Sequence, residues 1–204
     1  MNIPEDAVAG RLMAVPFICL AIMWGCSIQP SPEKVVRDYE KAANSHSVEA
    51  LMSLFTDDVV VSMPTIIEIS GKKDLRGKAE YDSTLNAITT FSNLLVKGDT
   101  VYCAMTENTD WYETAGIGPV YYPEAALVVD NGRISYMKAQ ISDSSAQNIN
   151  NILKVFLPWL QWNYPSETAA MMPRGELIHN GRNAAMILGY LREWCEAGKS
   201  ESSD

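Results

Sequence analysis

Histidine is nearly missing from this 204-residue chain: His46 and His179 are the only two, and neither stands in a Cys/His spacing that would hold zinc. A Gly-rich phosphate loop and a Gly-x-Ser-x-Gly elbow are both lacking, which removes phosphate-cradling nucleotide enzymes and elbow-type serine hydrolases. Basic residues are also scarce. The 16 Lys and Arg form no dense cluster and are outnumbered by 25 Asp and Glu, giving a net charge of -9. That balance argues against a nucleic-acid partner, whose phosphates require a cationic surface. Neutral or cationic small ligands, or proteins, suit it better. Nothing in the sequence implies a metal or a cofactor, and no internal repeat is visible.

What is present is ordinary for one packed domain with additions: 47% hydrophobic and 20% charged residues. The apolar stretch Leu12 to Trp24 falls short of the about 20 residues a membrane span needs, yet it suits the hydrophobic part of an export signal. Gly25-Cys26-Ser27 follows, then the linker-like Gln29-Pro30-Ser31-Pro32. The layout resembles a bacterial lipoprotein signal in which Cys26 is lipidated, with Met23 and Trp24 standing where such signals favour Leu and a small residue. Residues 1–26 are expected to be a signal peptide or membrane anchor, a buried N-terminal helix being the other reading, and residues 27–34 a linker. The protein is then exported, as a membrane-anchored lipoprotein or in the periplasm. Cys103 and Cys195 remain, and either one disulfide or two separate thiols is open to them.

Ser31-Pro32-Glu33 reads as a helix start, with a capping hydroxyl, a proline where no donor is needed, and an acid near the positive helix end. Val35, Val36, Tyr39, Ala42 and Ala43 recur at helical spacing. Val48, Leu51, Met52 and Phe55 make a second short helix, followed by a strand beginning at Val59. A third helix places Tyr81, Leu85 and Ile88 on one side. The pattern then changes to period two. Gly98-Asp99 turns Leu94–Lys97 into a long strand from Thr100 to about Tyr112, Val120–Val129 is the next strand, and a tight turn at Asp130–Arg133 leads to Ile134–Ser142. Helices before an antiparallel meander define an α+β class, a curved antiparallel sheet wrapped around helices as a cone. Beyond Ser142, Ile149 to Leu160 suggest a helix that Pro158 should kink or end. Residues 165–182 look irregular, and Ala184–Glu196 closes the chain as a helix.

The runs Tyr39-Glu40-Lys41-Ala42-Ala43, Leu54-Phe55-Thr56-Asp57-Asp58 and Leu75-Arg76-Gly77-Lys78, taken in order, resemble the nuclear transport factor 2-like superfamily, closest in style to its SnoaL-like and ketosteroid-isomerase-like branches. The resemblance covers residues 35–142 and leaves residues 143–204 as a C-terminal helical extension. It implies a cone-shaped α+β barrel around a cavity. It also implies dimerisation, as many relatives dimerise, through the outer sheet face. Fold alone does not choose among the isomerases, dehydratases, cyclases, epoxide hydrolases and binding proteins of that superfamily.

Compared position by position, the isomerase branch's tyrosine donor falls on Tyr39, its base carboxylate on Met63, and its second donor on Ala125 or the neighbouring Glu124. The epoxide-hydrolase branch's strand motif resembles Thr106–Asp110, with Asp110 at one acid, Asn108 replacing the arginine and Ala139 replacing the other acid. Alternation along the long strand then carries Thr106, Asn108, Asp110 and Tyr112 into the cavity and turns Glu107 and Trp111 outward. Ala125, Leu127, Ala139 and Ile141 line the opposite wall. The expected pocket is apolar, with Tyr39, Asn108 and Asp110 as its polar groups and Met63 among its lining.

Three functions follow as expectations. The first is binding of a small hydrophobic ligand in the cone by an exported protein that lacks the recognised isomerase and hydrolase sites. The second is a lyase or isomerase with Asp110 as general base and Tyr39 as hydrogen-bond donor. The third is a dimeric interaction scaffold whose C-terminal helices, through Trp159 or a neighbour, fill the cone.

Overall fold

A computed structural model describes residues 29–64 and 66–201, with side chains as far as residue 198. The expected leader, with Cys26, lies outside the described residues. No described helix is long and apolar enough to cross a membrane.

Helix α1, Pro32–Asn44, begins where the cap signal placed it: Ser31 Oγ accepts from Lys34 N at 3.3 Å, and Val35, Val36 and Ala42 are buried. Ser47 caps the short α2, Val48–Ser53, in the same way. Strand β1, Phe55–Met63, starts earlier than Val59 and pairs with a short strand, β2, Ile67–Ser70, that the periodicity did not mark. Helix α3 runs from Lys72 to Thr84. Ile88, expected on that helix, instead opens β3, Ile88–Lys97, because Asn86 adopts a left-handed φ of 51° that stops the helix. The Gly98 turn leads to β4, Thr100–Asn108.

Strand β4 does not continue to Tyr112. Thr109 Oγ1 accepts from Tyr112 N at 3.1 Å and caps a one-and-a-half-turn helix, α4, Asp110–Ala115. Strands β5, Val120–Asp130, and β6, Arg133–Gln140, are joined by Asn131 and Gly132, both at positive φ. Helices α5, Asp143–Asn163, α6, Pro165–Met171, and α7, Gly181–Glu201, complete the chain. Thus α5 runs through Pro158 and the region expected to be irregular contains α6. The proline faces solvent, while Phe156 and Leu160 beside it are fully buried. Their burial outweighs the roughly 3 kcal/mol a helix-interior proline costs.

The class is α+β, with a curved, open six-stranded sheet in the order β2-β1-β6-β5-β4-β3. It is mixed rather than wholly antiparallel, since β1 runs parallel to β6 and every other neighbouring pair is antiparallel. Extra residues in β3 between Ser92 and Leu95, where Asn93 has φ 56°, and in β5 between Tyr122 and Ala125 interrupt the ladders; such bulges bend a sheet. The concave face holds one core, which includes Val36, Phe55, Phe91, Met105, Leu127 and Met137 beneath α1 and α3. A second core lies among α4, α5, α6 and α7, including Trp111, Phe156, Leu160, Met171, Ile187 and Leu191. Cys103 and Cys195 are not joined: Cys103 is buried in the first core, and Cys195 Sγ donates to Thr114 O at 3.6 Å.

Candidate functional site

The two cores meet at a cavity of about 340 Å³. Its apolar lining comes from both parts of the chain: Leu85, Trp111 and Ile141 from residues before 142, and Ile149, Leu153, Leu177 and Ile187 from residues after it. Its polar lining comprises Lys78, Asp82, Glu107, Tyr112 and His179, together with Tyr81, Thr109 and Asn150.

Helix geometry brings the first two together. Leu75, Lys78, Ala79 and Asp82 follow i, i+3, i+4, i+7 spacing, so α3 turns all four toward the sheet, two apolar and two charged. Lys78 Nζ donates to Asp82 Oδ1 at 2.6 Å and also bonds Oδ2, with the lysine side chain 16% exposed. Strand β4 supplies the third charge. Val101, Cys103, Met105 and Glu107 are its inward set, and Glu107 is 9% exposed. Tyr112 Oη donates to Glu107 Oε1 at 3.3 Å from α4. Two smaller cavities, of about 30 and 40 Å³, lie under Tyr39 and also reach Asp82 and Glu107. The carboxylates are therefore the point on which the hollow parts of the cone converge.

Burial dominates the proton affinities here. Loss of water lifts the Glu107 carboxyl above its ordinary value, with the Asp82 charge adding to the rise and Lys78 and the Tyr112 hydrogen bond opposing it. Lys78 is pulled down by burial but more than restored by the Asp82 and Glu107 charges, so its ammonium is held firmly. Burial first, then nearby carboxylates, raises the phenols of Tyr39, Tyr112 and Tyr122, and burial raises that of Tyr81. They stay protonated donors at neutral pH. His179 packs edge-on against Tyr81, with ring centroids 4.9 Å apart, and burial followed by the Lys78 charge lowers it to about 4. The site thus offers phenolic donors, a neutral imidazole, an ammonium already committed to Asp82, and one carboxyl of altered proton affinity.

Opposite pH dependences follow from these shifts. His179 has a depressed value, so between its ordinary 6.5 and about 4 the unfolded chain binds more protons, and stability falls on acidification. Glu107 has a raised value, so its contribution is present below its ordinary 4.5 and is lost as pH rises through the folded value. In chemical denaturation across this range, His179→Gln should flatten the acid-side decline and Glu107→Gln the loss on raising pH. An unchanged acid slope in the His179 variant would contradict the assignment.

The candidates expected from alternation are placed differently. Asp110 is not an inward strand residue. It opens α4, where Asn86 Nδ2 donates to its Oδ2 at 2.8 Å and Arg192 lies 3.9 Å away, and it does not line the cavity. Asn108 points away from the cone, its Nδ2 donating to Glu113 Oε1 at 2.7 Å, and Trp111, expected outward, is buried in the second core. The phase of β4 is thus the reverse of the expected one. Val101, Cys103 and Met105, being the more apolar alternate set, carry the signal that would have placed Glu107 inside. Tyr112 and Ile141 do line the cavity, Tyr112 from a helix rather than a strand. Tyr39 is wedged between Phe55 and Phe91 and, with Met63, lines the 40 Å³ cavity beneath. Ala125, Leu127 and Ala139 face inward but sit in the filled core, not at the cavity. Lys78 and Asp82 went unrecognised, although charged residues at apolar positions of an amphipathic helix were the available sign.

Two leading helices and a third packed on a curved, open sheet make the cone-like α+β arrangement expected from the sequence. No sequence family profile matches the chain, and no curated protein does. Similar solved structures include the epoxide hydrolase/cyclase-like enzyme SalBIII, of pyran ring formation in the polyether salinomycin, at 16% identity over 56% of this chain and 92% of that one, TM-score 0.49. An M. tuberculosis LEH-like epoxide hydrolase matches at 12% over 62% and 96%, TM-score 0.47. A nuclear transport factor 2-like protein of unknown function from Cytophaga hutchinsonii matches at 10% over 57% and 94%, TM-score 0.47. These likenesses concern architecture alone.

Proposed function

We propose that this protein binds a small, mainly apolar molecule in the cavity between the cone and the C-terminal helices, with the ligand's polar end at Glu107 and Tyr112. The observation that carries this reading is the cavity itself, about 340 Å³ and lined chiefly by apolar side chains with a few convergent polar groups. The scaffold reading fits less well, because Trp159 packs on Phe156 and Tyr164 instead of filling the hollow. Native mass spectrometry of the purified protein should detect a small molecule that is released on unfolding. Leu153→Trp, which puts a larger ring into the cavity from α5, should abolish that adduct while changing stability by no more than about 1–3 kcal/mol. An adduct retained by the folded variant would contradict the site.

One observation favours a second reading. Glu107 is a cavity-facing carboxyl whose proton affinity burial raises, the property a general acid or base near neutrality needs. In an enzyme of this kind Glu107, not Asp110, moves the proton, and Tyr112 orients it. Turnover that survives Glu107→Gln would exclude this reading.

A further inference from the structure

The charges at the cavity floor are unequal in number, and that imbalance identifies the ligand's chemistry. Glu107 and Asp82 face one cation, Lys78, since His179 is neutral above its value of about 4. Lys78 places hydrogen bonds on both oxygens of Asp82 and forms no ion pair with Glu107 among the described residues. Glu107 is 9% exposed, and the one side-chain bond it receives there is the 3.3 Å contact from the neutral Tyr112 hydroxyl. Two carboxyl groups thus share one ammonium, and Glu107 meets that deficit either by holding its proton or by pairing with a cation that a ligand brings. The space beside it is the apolar cavity, where Leu153, Ile149 and Ile187 can hold a hydrocarbon body.

We propose that the ligand is a hydrophobic amine whose ammonium pairs with Glu107 while its apolar part occupies the space beneath α5 and α7. This rests on the reading of the cavity as a binding site. An anionic head would meet two carboxylates and an ammonium that is already committed. A neutral head would leave Glu107 and Asp82 sharing the one Lys78 ammonium. The net charge of -9 also favours the approach of a cation over that of an anion.

Three probes with one skeleton test the idea: 4-phenylbutylamine, 4-phenylbutanol and 4-phenylbutyrate, titrated calorimetrically at neutral pH into the full chain. The amine should bind at least about tenfold more tightly than the alcohol, as a hydrogen bond to a charged group does relative to a neutral one. The acid should bind weakest. Glu107→Gln should remove the amine's advantage and leave the alcohol's affinity within a few-fold, and Leu153→Trp should weaken amine and alcohol alike. Equal or tighter binding of the alcohol or the acid would overturn the amine assignment while leaving the cavity as the binding site. Binding of none of the three to the wild-type protein would overturn both. An amine advantage that persists in folded Glu107→Gln would remove Glu107 as its partner.

Discussion

Replacing Phe156 with alanine should destabilise the protein by about 3–5 kcal/mol, the usual effect of removing a fully enclosed aromatic ring. Phe156 is 0% exposed and packs between Trp159, with ring centroids 6.2 Å apart, and Trp194, at 5.7 Å. It stands two residues before Pro158, on the buried side of a helix whose regular bonding the proline interrupts. With that ring gone, Leu160 alone of the two fully buried residues flanking the proline remains to anchor α5, and the cavity roof should loosen together with the core. Chemical denaturation measures the loss, and fluorescence of Trp194 and Trp159 reports whether the roof opens first. Trp162→Ala on the same helix is the control: at 85% exposure it should change stability by no more than about 0.5 kcal/mol. Equal effects of the two substitutions would mean that the second core contributes little.

Gly77→Ala should destabilise the protein although helix propensity alone says the reverse. An interior helical glycine costs about 1 kcal/mol relative to alanine. At this position, however, a Cβ would lie 2.6 Å from the His179 carbonyl oxygen, a backbone atom. The strap that carries it is held in place, with Ile178 N donating to Met171 O at 2.9 Å and Asn183 Nδ2 to Ile178 O at 2.7 Å. Overpacking against a fixed backbone costs about 1–3 kcal/mol, which exceeds the gain in propensity. The strap should shift, carry His179 toward water, and move its value from about 4 back toward 6.5, a change that nuclear magnetic resonance titration detects. Gly189 on α7 supplies the contrast, since nothing lies within 4 Å of its added Cβ. Gly189→Ala should stabilise by about 0.5–1 kcal/mol. If Gly77→Ala stabilises as well, the close approach of strap and α3 is not a constraint.

This glycine also shows why a motif can be legible while its purpose is not. Leu75-Arg76-Gly77-Lys78 stands out in the chain, yet the segment that makes Gly77 necessary lies a hundred positions later. Ser31, Ser47 and the Gly98 and Asn131-Gly132 turns behave differently, because a cap or tight turn is completed within a few residues. The element boundaries beside them could be read to within about a residue. Thr109 carried the same kind of local signal as the cap of α4, and treating it as strand is what carried β4 on through Asp110, while taking Asn108 as inward is what put Glu107 outside.

The sequence by itself determined the starts of α1 and α2, the hairpin turns, the α+β order and the acidic balance, since propensity, capping and composition act over short distances. Only the tertiary structure decided where the hollow lies and which charged groups meet at it. Its place depends on which helices cover the sheet, and here α5 and α7 close over α3 and α4 from the far end of the chain. Burial by those distant elements is also what alters the proton affinities of Glu107 and His179, and no spacing along the chain encodes it.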